Sequence, residues 1–262
     1  LELSRPVVLN WAINSSFWLL KVLAIMFRFV RILFCAVLVI PATSVLAAET
    51  EVTLLMFEDQ DSQQEPAYMT RMLLTGDYLR LDDGQDHGDF ALLDRKDGTL
   101  YSVSHEEQRT LVIPAQPVII APPKKLRHDV EELDAGGVPD VGGNKVSRYY
   151  LFTNGKRCTE IYAVKGFYPD AVKALALFSK TLAGQHAKSM QAMPDSVSSD
   201  CDIANNIFAA DRHLNMGFPI RQKDFSGRSR QLVTVKDDVI VDASMFELPL
   251  GYQKFMPGVL PH

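Results

Sequence analysis

Tyr149–Val164 reads YYLFTNGKRCTEIYAV, and this stretch decides the fold. Asn154-Gly155 is the dipeptide that best tolerates the two positive-φ positions of a two-residue hairpin turn. Aromatic and β-branched residues stand on either side of it, so Tyr149–Thr153 and Arg157–Val164 are expected to pair as antiparallel strands.

The same grammar repeats upstream. Glu51–Glu58 (EVTLLMFE) is a β-rich run, and Ala67–Thr75 and Tyr78–Asp82 flank Gly76-Asp77. Phe90–Asp94 and Thr99–Ser104 flank Lys96-Asp97-Gly98, and Arg109–Ile113 follows the polar tip His105–Gln108. Close strands with short turns predict an antiparallel meander rather than βαβ units. Pro114, Pro117, Pro122 and Pro123 open an irregular crossing over residues 114–144, with one strand near Leu126–Leu133.

Downstream of the hairpin the period changes. Pro169 suits a first helical position and Asp170 suits the positive end of a helix. Val172, Leu175, Phe178 and Leu182 form an apolar stripe, with Lys173 and Lys180 facing away. Ser198 or Ser199 is placed to cap a second helix carrying Ile203, Ile207, Ala210 and Leu214, which Gly217 and Pro219 stop. Strands resume at Arg230–Lys236 and Val239–Ala243, joined by Asp237-Asp238, before Phe246-Glu247-Leu248-Pro249. The expected class is α+β. One curved antiparallel sheet, an open half-barrel, carries two or more helices on its concave face.

The N-terminal region gives the compartment. Met26–Ala48 (MFRFVRILFCAVLVIPATSVLAA) has Arg28 and Arg31 ahead of the apolar run Ile32–Ile40, then Pro41 and small residues around Ala47. This is the pattern of a cleaved export signal. Residues 1–25 are then expected to be an upstream extension of a gene start at Met26, and 48–262 a single exported, periplasmic domain. The rival is an inner-membrane anchor over Phe17–Ala48, interrupted by Lys21, Arg28 and Arg31. Cys35 lies within the apolar run and makes a poor lipid site.

Residues 1–47 hold four basic and one acidic residue, so cleavage leaves 23 basic against 31 acidic side chains, a net charge of −8. Such a surface attracts neither nucleic acid nor anionic headgroups. About 215 residues suffice for one domain with a sizeable core. Cys158 and Cys201 remain, and in an exported chain an isolated pair predicts one disulfide. A redox or nucleophilic thiol at Cys201 is the alternative.

Motifs for chemistry are sparse. Asp82, Asp83, Asp86 and Asp89 form the most tempting cluster of carboxylates for a hard cation. They miss the calcium-loop spacing, and a solvated connection between strands is the favoured reading. The histidines His87, His105, His128, His186, His213 and His262 have no metal-ligand spacing. There is no G-x-S-x-G, although a dispersed Ser–His–Asp set needs no local motif. No catalytic residue and no cofactor is assigned. Eight methionines follow residue 47, and they suit either an adaptable apolar pocket or plain core filling.

Gly76-Asp77-Tyr78-Leu79-Arg80-Leu81-Asp82, Asn154-Gly155-Lys156-Arg157-Cys158 and Phe246-Glu247-Leu248-Pro249-Leu250-Gly251-Tyr252 together resemble exported bacterial proteins of the DUF4412 type. Those in turn resemble the periplasmic lipoprotein carriers and lipoprotein-localisation factors. The resemblance implies an open, strongly curved sheet whose concavity, in the carriers, receives acyl chains. It transfers no ligand-contacting residue. The leading expectation is a non-enzymatic protein holding a hydrophobic ligand, a lipid or lipidated protein, between sheet and helices. An envelope interaction protein without a small ligand, and a hydrolase with a dispersed site, are the alternatives.

Overall fold

The computed structural model describes residues 48–190 and 199–257. The expected export signal, the rival anchor, Met193, Ser198 and His262 lie outside the described residues. The described residues belong to one compact unit. Among the described residues no helix is long and apolar enough to cross a membrane.

The strands are β1 (Glu49–Gln60), β2 (Tyr68–Leu74), β3 (Tyr78–Asp82), β4 (Phe90–Asp94), β5 (Leu100–Ser104), β6 (Arg109–Ile113) and β7 (His128–Leu133). Then come β8 (Val146–Thr153), β9 (Lys156–Val164), β10 (Phe218–Asp224), β11 (Ser229–Asp242) and β12 (Gln253–Phe255). All belong to one open sheet of 12 strands in the order β12-β6-β5-β4-β3-β2-β1-β11-β10-β9-β8-β7. The meander is present as expected, and Asn154-Gly155 turns β8 into β9 with φ of 50° and 77°.

Three expectations need correction. The sheet is not wholly antiparallel, because β12 adds to β6 in parallel. The chain reaches that edge only after the 3-10 turn Ala243–Phe246 has crossed the sheet, and so arrives running the same way as β6. β11 is one strand rather than two. Asp238 takes φ 55°, and this left-handed residue makes an irregularity after which pairing with β1 resumes. The second helix is broken. Ser199 caps α2 (Asp200–Ile203) through a capping box with Asp202, but a π turn (Ala204–Phe208) and a 3-10 turn (Arg212–Met216) replace its continuation.

The long helix α1 (Pro169–Met190) lies on one face of the sheet. Its buried contacts are small: Ala171, Ala174, Thr181, Ala183, Gly184 and Ala187. The expected stripe of Val172, Leu175, Phe178 and Leu182 is only half-buried along the flanks. The helix is confined from above, since a Cβ on Gly184 would stand 2.2 Å from the Gln116 carbonyl oxygen. Arg95 pairs with Asp170 at 2.7 Å, and Thr181 Oγ1 donates to the Gly98 carbonyl at 2.8 Å. Both contacts fix α1 to the β4–β5 turn.

Leu55, Phe57, Met72, Leu79, Leu93 and Phe218 form the core beneath α1. On the opposite face Val52, Leu73, Phe90, Leu92 and Val103 are covered by Met245 and Phe246, with Leu248 and Tyr252 beside them. Cys158 and Cys201 form a disulfide with a Cα–Cα distance of 5.1 Å. It staples α2 to β9.

Candidate functional site

Between α1 and the sheet, where a hydrophobic ligand was expected, there is a space of about 290 Å³. Leu81, Leu175 and Phe178 supply apolar wall, but charged groups supply much of the rest. Arg230 grips Asp59 with two hydrogen bonds of 2.7 Å, Arg228 holds Asp224 at 2.8 Å, and Tyr68 donates to Asp61. Half-buried His213 stands in the same wall. Burial pushes its imidazole down to about 4, helped by the charges of Arg212 and Arg230.

A more apolar groove opens elsewhere, with a volume of about 470 Å³, inside the usual range for small-molecule sites of about 300–1,000 Å³. β9 contributes Tyr162, β10 contributes Ile220 and Arg221, and β11 contributes Leu232, Val233 and Val235. Val138, Val141 and Phe167 close it from the loops. Register places the groove on the sheet. Arg221 stands opposite both Tyr162 and Gln231, and residues directly across a ladder share a face. Gln222, Arg230 and Asp59 form the adjacent row, and they meet Leu175 and Phe178 of α1. Side chains alternate along a strand, so Tyr162, Arg221 and Gln231 line the groove from the face away from that row. Leu232 and Val235, by contrast, stand opposite Phe57 and Leu55 and border the core beneath α1.

Two backbone irregularities put apolar side chains there. The β1–β11 register shifts between Met56 and Phe57, leaving Val233 between the paired residues Leu232 and Thr234. Such a bulge re-aims a side chain, and Val233 is 57% exposed. A second shift between Pro219 and Arg221 leaves Ile220 without a direct partner on β9. Val138 is 38% exposed across the cleft. Val141, Tyr162, Phe167 and Ile220 pack against buried Ala135, Val146 and Val164. The rim is cationic and aromatic, with Arg221 and Arg148 at 5.7 and 5.6 Å from the Tyr162 ring centre. Arg148 is spoken for by Glu160 at 2.6 Å. The arrangement can desolvate an apolar chain, but it presents no nucleophile or acid–base pair.

The four aspartates of the sequence cluster do not converge. Asp82 is a buried residue of β3 rather than part of a solvated turn, and Arg71 and Arg80 bind it at 2.8 and 2.6 Å. Burial opposes its ionisation, yet hydrogen bonds from both arginines and from the Gly84 amide outweigh this and hold the carboxyl below the ordinary range. Asp83 accepts from the Gln85 amide, Asp86 pairs with Arg71, and Asp89 accepts from the His105 amide. Among the described residues no group of three His, Cys, Asp or Glu side chains is placed to hold a metal ion. His128 meets Arg212, His105 meets Tyr252 and His186 meets the Asn206 carbonyl, each separately.

Sequence reasoning missed the groove because its parts are isolated apolar residues from five segments. The one available signal was the alternation in Gln231–Val235, where Leu232, Val233 and Val235 crowd a strand that alternation alone would make half polar.

No protein-family model matches the chain, and no curated protein matches it at a significant level. Among solved structures, an uncharacterized conserved protein from Thermus thermophilus is similar with a TM-score of 0.39 and 10% identity. The match covers 80% of this chain and 91% of that one. PNGF-II matches with a TM-score of 0.39 and 9% identity over 79% of this chain and 31% of its own length.

Proposed function

We propose that the protein is a non-enzymatic periplasmic binding protein that holds an apolar ligand, such as the acyl chain of a lipid or lipidated protein. In this reading the open sheet is curved, helices cover its concave side, and the DUF4412-type and lipoprotein-carrier resemblance reflects common architecture. The ligand lies in the groove of Val138, Val141, Tyr162, Phe167, Ile220, Leu232 and Val233. The observation that carries the proposal is this groove, about 470 Å³ of mainly apolar space. Exposed apolar surface gathered in one concavity marks a site of contact. Burying about 200 Å² of ligand there gives roughly 5 kcal/mol before the costs of association, which suits a carrier that must also release.

The test is titration of the purified, delipidated protein with a fluorescent fatty acid and with a lipopeptide. Binding at micromolar concentration is expected, with loss in Val233→Asp. If neither probe binds at micromolar concentration, the reading is wrong.

A further inference from the structure

A third cavity, of about 610 Å³, lies on the sheet face covered by the C-terminal segment. Leu54, Phe90, Val239, Val241 and Met245 give it apolar walls. Its polar end is built from arginine. Arg80 is only 2% exposed. Its Nε donates to Asp82 at 2.6 Å, its Nη1 donates to the Met245 carbonyl, and its guanidinium stacks 3.9 Å from the Phe90 ring centre. Nη2 is buried and has no hydrogen-bond partner. An orphaned buried donor on a cation costs free energy that a neighbouring acceptor would recover.

The charges around it are unevenly neutralised. Arg71 donates Nε and Nη2 to the two oxygens of Asp82, at 2.8 and 3.0 Å. One fully buried carboxylate therefore serves two guanidinium groups. The second positive charge is met only by Asp86, which reaches Arg71 Nη1 at 2.8 Å from a loop and is 64% exposed. An ion pair of that kind contributes little. Asp242 also borders the cavity and keeps its negative charge there, with Oδ1 accepting from the Ser244 amide at 2.8 Å rather than from either arginine. His87 and His105 complete the polar wall, and His105 Nδ1 is engaged by the Tyr252 hydroxyl at 2.8 Å.

We propose that this cavity is an anion site for an amphiphile, in which a carboxylate or phosphate head displaces Asp86 from Arg71 and meets Arg80 while a short apolar body lies on Leu54, Phe90 and Val241. The head group forms charge-assisted hydrogen bonds to a guanidinium fork suited to planar oxyanions. The walls give the apolar body a surface to desolvate. The site stands on the face away from α1, under β2–β4 and residues 239–245, whereas the groove lies at β9–β11. It does not depend on the groove being occupied.

Calorimetric titration of the protein with decanoate, decyl phosphate, decanol and acetate tests the proposal. Decanoate or decyl phosphate is expected to bind at least ten-fold more tightly than decanol and acetate, and whichever head binds better identifies the oxyanion. Asp86→Asn removes only an exposed competitor and is expected to tighten binding about three-fold. The same series in Val233→Asp, whose groove is closed to acyl chains, separates this site from the groove, and there Arg71→Gln is expected to weaken decanoate at least ten-fold. Decanol binding as tightly as decanoate overturns the proposal. So does an unaltered or weaker affinity in Asp86→Asn. Because Asp86 is exposed, its variant keeps the test decisive even if Arg71→Gln fails to fold.

Discussion

The two halves of the sheet are insulated differently. Strands β2–β6 are covered on both faces, by α1 against Met72, Leu79 and Leu93, and by Met245 and Phe246 against Leu73, Leu92 and Val103. Strands β8–β10 carry the stapled segment of residues 200–216 on one face, where Tyr149, Leu151, Ile161 and Ala163 meet Met216. Their other face carries the apolar groove and a row of arginines over Tyr150 and Tyr162. Apart from the cavity beside Arg80, the first half is filled on both sides and acts as the scaffold. The half with an unfilled face has unspent apolar surface, so it needs extra ties and offers a place to bind.

The tie of largest expected effect is the disulfide. Its sequence separation of 43 residues corresponds to about 4 kcal/mol of restricted unfolded-state entropy. Replacing Cys158 and Cys201 together by Ser is expected to lower stability by about that amount in urea unfolding. Limited proteolysis should then cut within residues 200–216 before it cuts β1–β6. Equal cutting in both regions breaks the comparison.

Core truncation measures the other half. Leu92 is 2% exposed between β4 and the C-terminal cover, and Leu92→Ala is expected to cost about 3 kcal/mol. Leu232, half-buried beside the groove, should cost about 1 kcal/mol when made Ala, because water already reaches its neighbourhood. Similar losses at the two sites would mean that the groove is packed in solution.

Acid provides a third contrast, since two histidines with lowered pKa values, His128 and His213, lie at the stapled segment. Burial, with the charge of Arg212, lowers the His128 imidazole, and burial brings His213 to about 4. His128 Nδ1 can accept from Arg212 Nη1 only when that nitrogen is unprotonated. Both folded pKa values lie below the unfolded value of about 6.5. The unfolded chain therefore binds more protons in this window, and stability falls as pH drops from about 6.5 to about 4. A loss of about 2 kcal/mol is expected, allowing for solvent near the half-buried His213 ring. The carboxylates of Asp82 and Asp170 are lowered and give way only below the ordinary carboxylate range. In His213→Gln the urea midpoint should become flatter between pH 7 and 5. An unchanged slope would remove His213 from the account.

What the residues disclosed follows the same division. β3, β4 and β6 fall at the bounds their alternation predicts, because each has one apolar row per face and a turn at each end. β10 was hidden by Gly217 and Pro219, which read as a helix stop, whereas Pro219 sits beside a register shift where no ladder bond is required of it. β12 is three residues long and pairs in parallel with β6, a long-range event with no local signature. The helix was legible in period but not in its contact face. The Gln116 backbone above Gly184 demands small residues, and nothing near Gly184 in sequence announces that neighbour. The disulfide was legible from the expected export signal and the cysteine count alone. The groove was not, because it depends on two bulges, and a bulge is an irregularity of pairing between segments far apart in sequence.

The smallest expected change in stability belongs to the residue that matters most for the groove. Val233 is exposed on a bulge, so Val233→Asp forfeits little burial and should shift stability by no more than about 1 kcal/mol. Its effect on ligand is expected to be much larger. The new carboxylate would sit among Val138, Ile220 and Phe167 and would have to stay hydrated there, against the desolvation on which an apolar chain depends. Val233→Leu supplies the complementary test, enlarging the apolar wall with stability unchanged and fatty-acid affinity kept or raised. A protein that loses fluorescent fatty acid in Val233→Asp, keeps it in Val233→Leu and unfolds at nearly the same urea concentration in both has its binding surface in the uncovered half. Should Val233→Asp instead unfold the chain, the groove belongs to the core, and the distinction between a scaffold half and a binding half disappears.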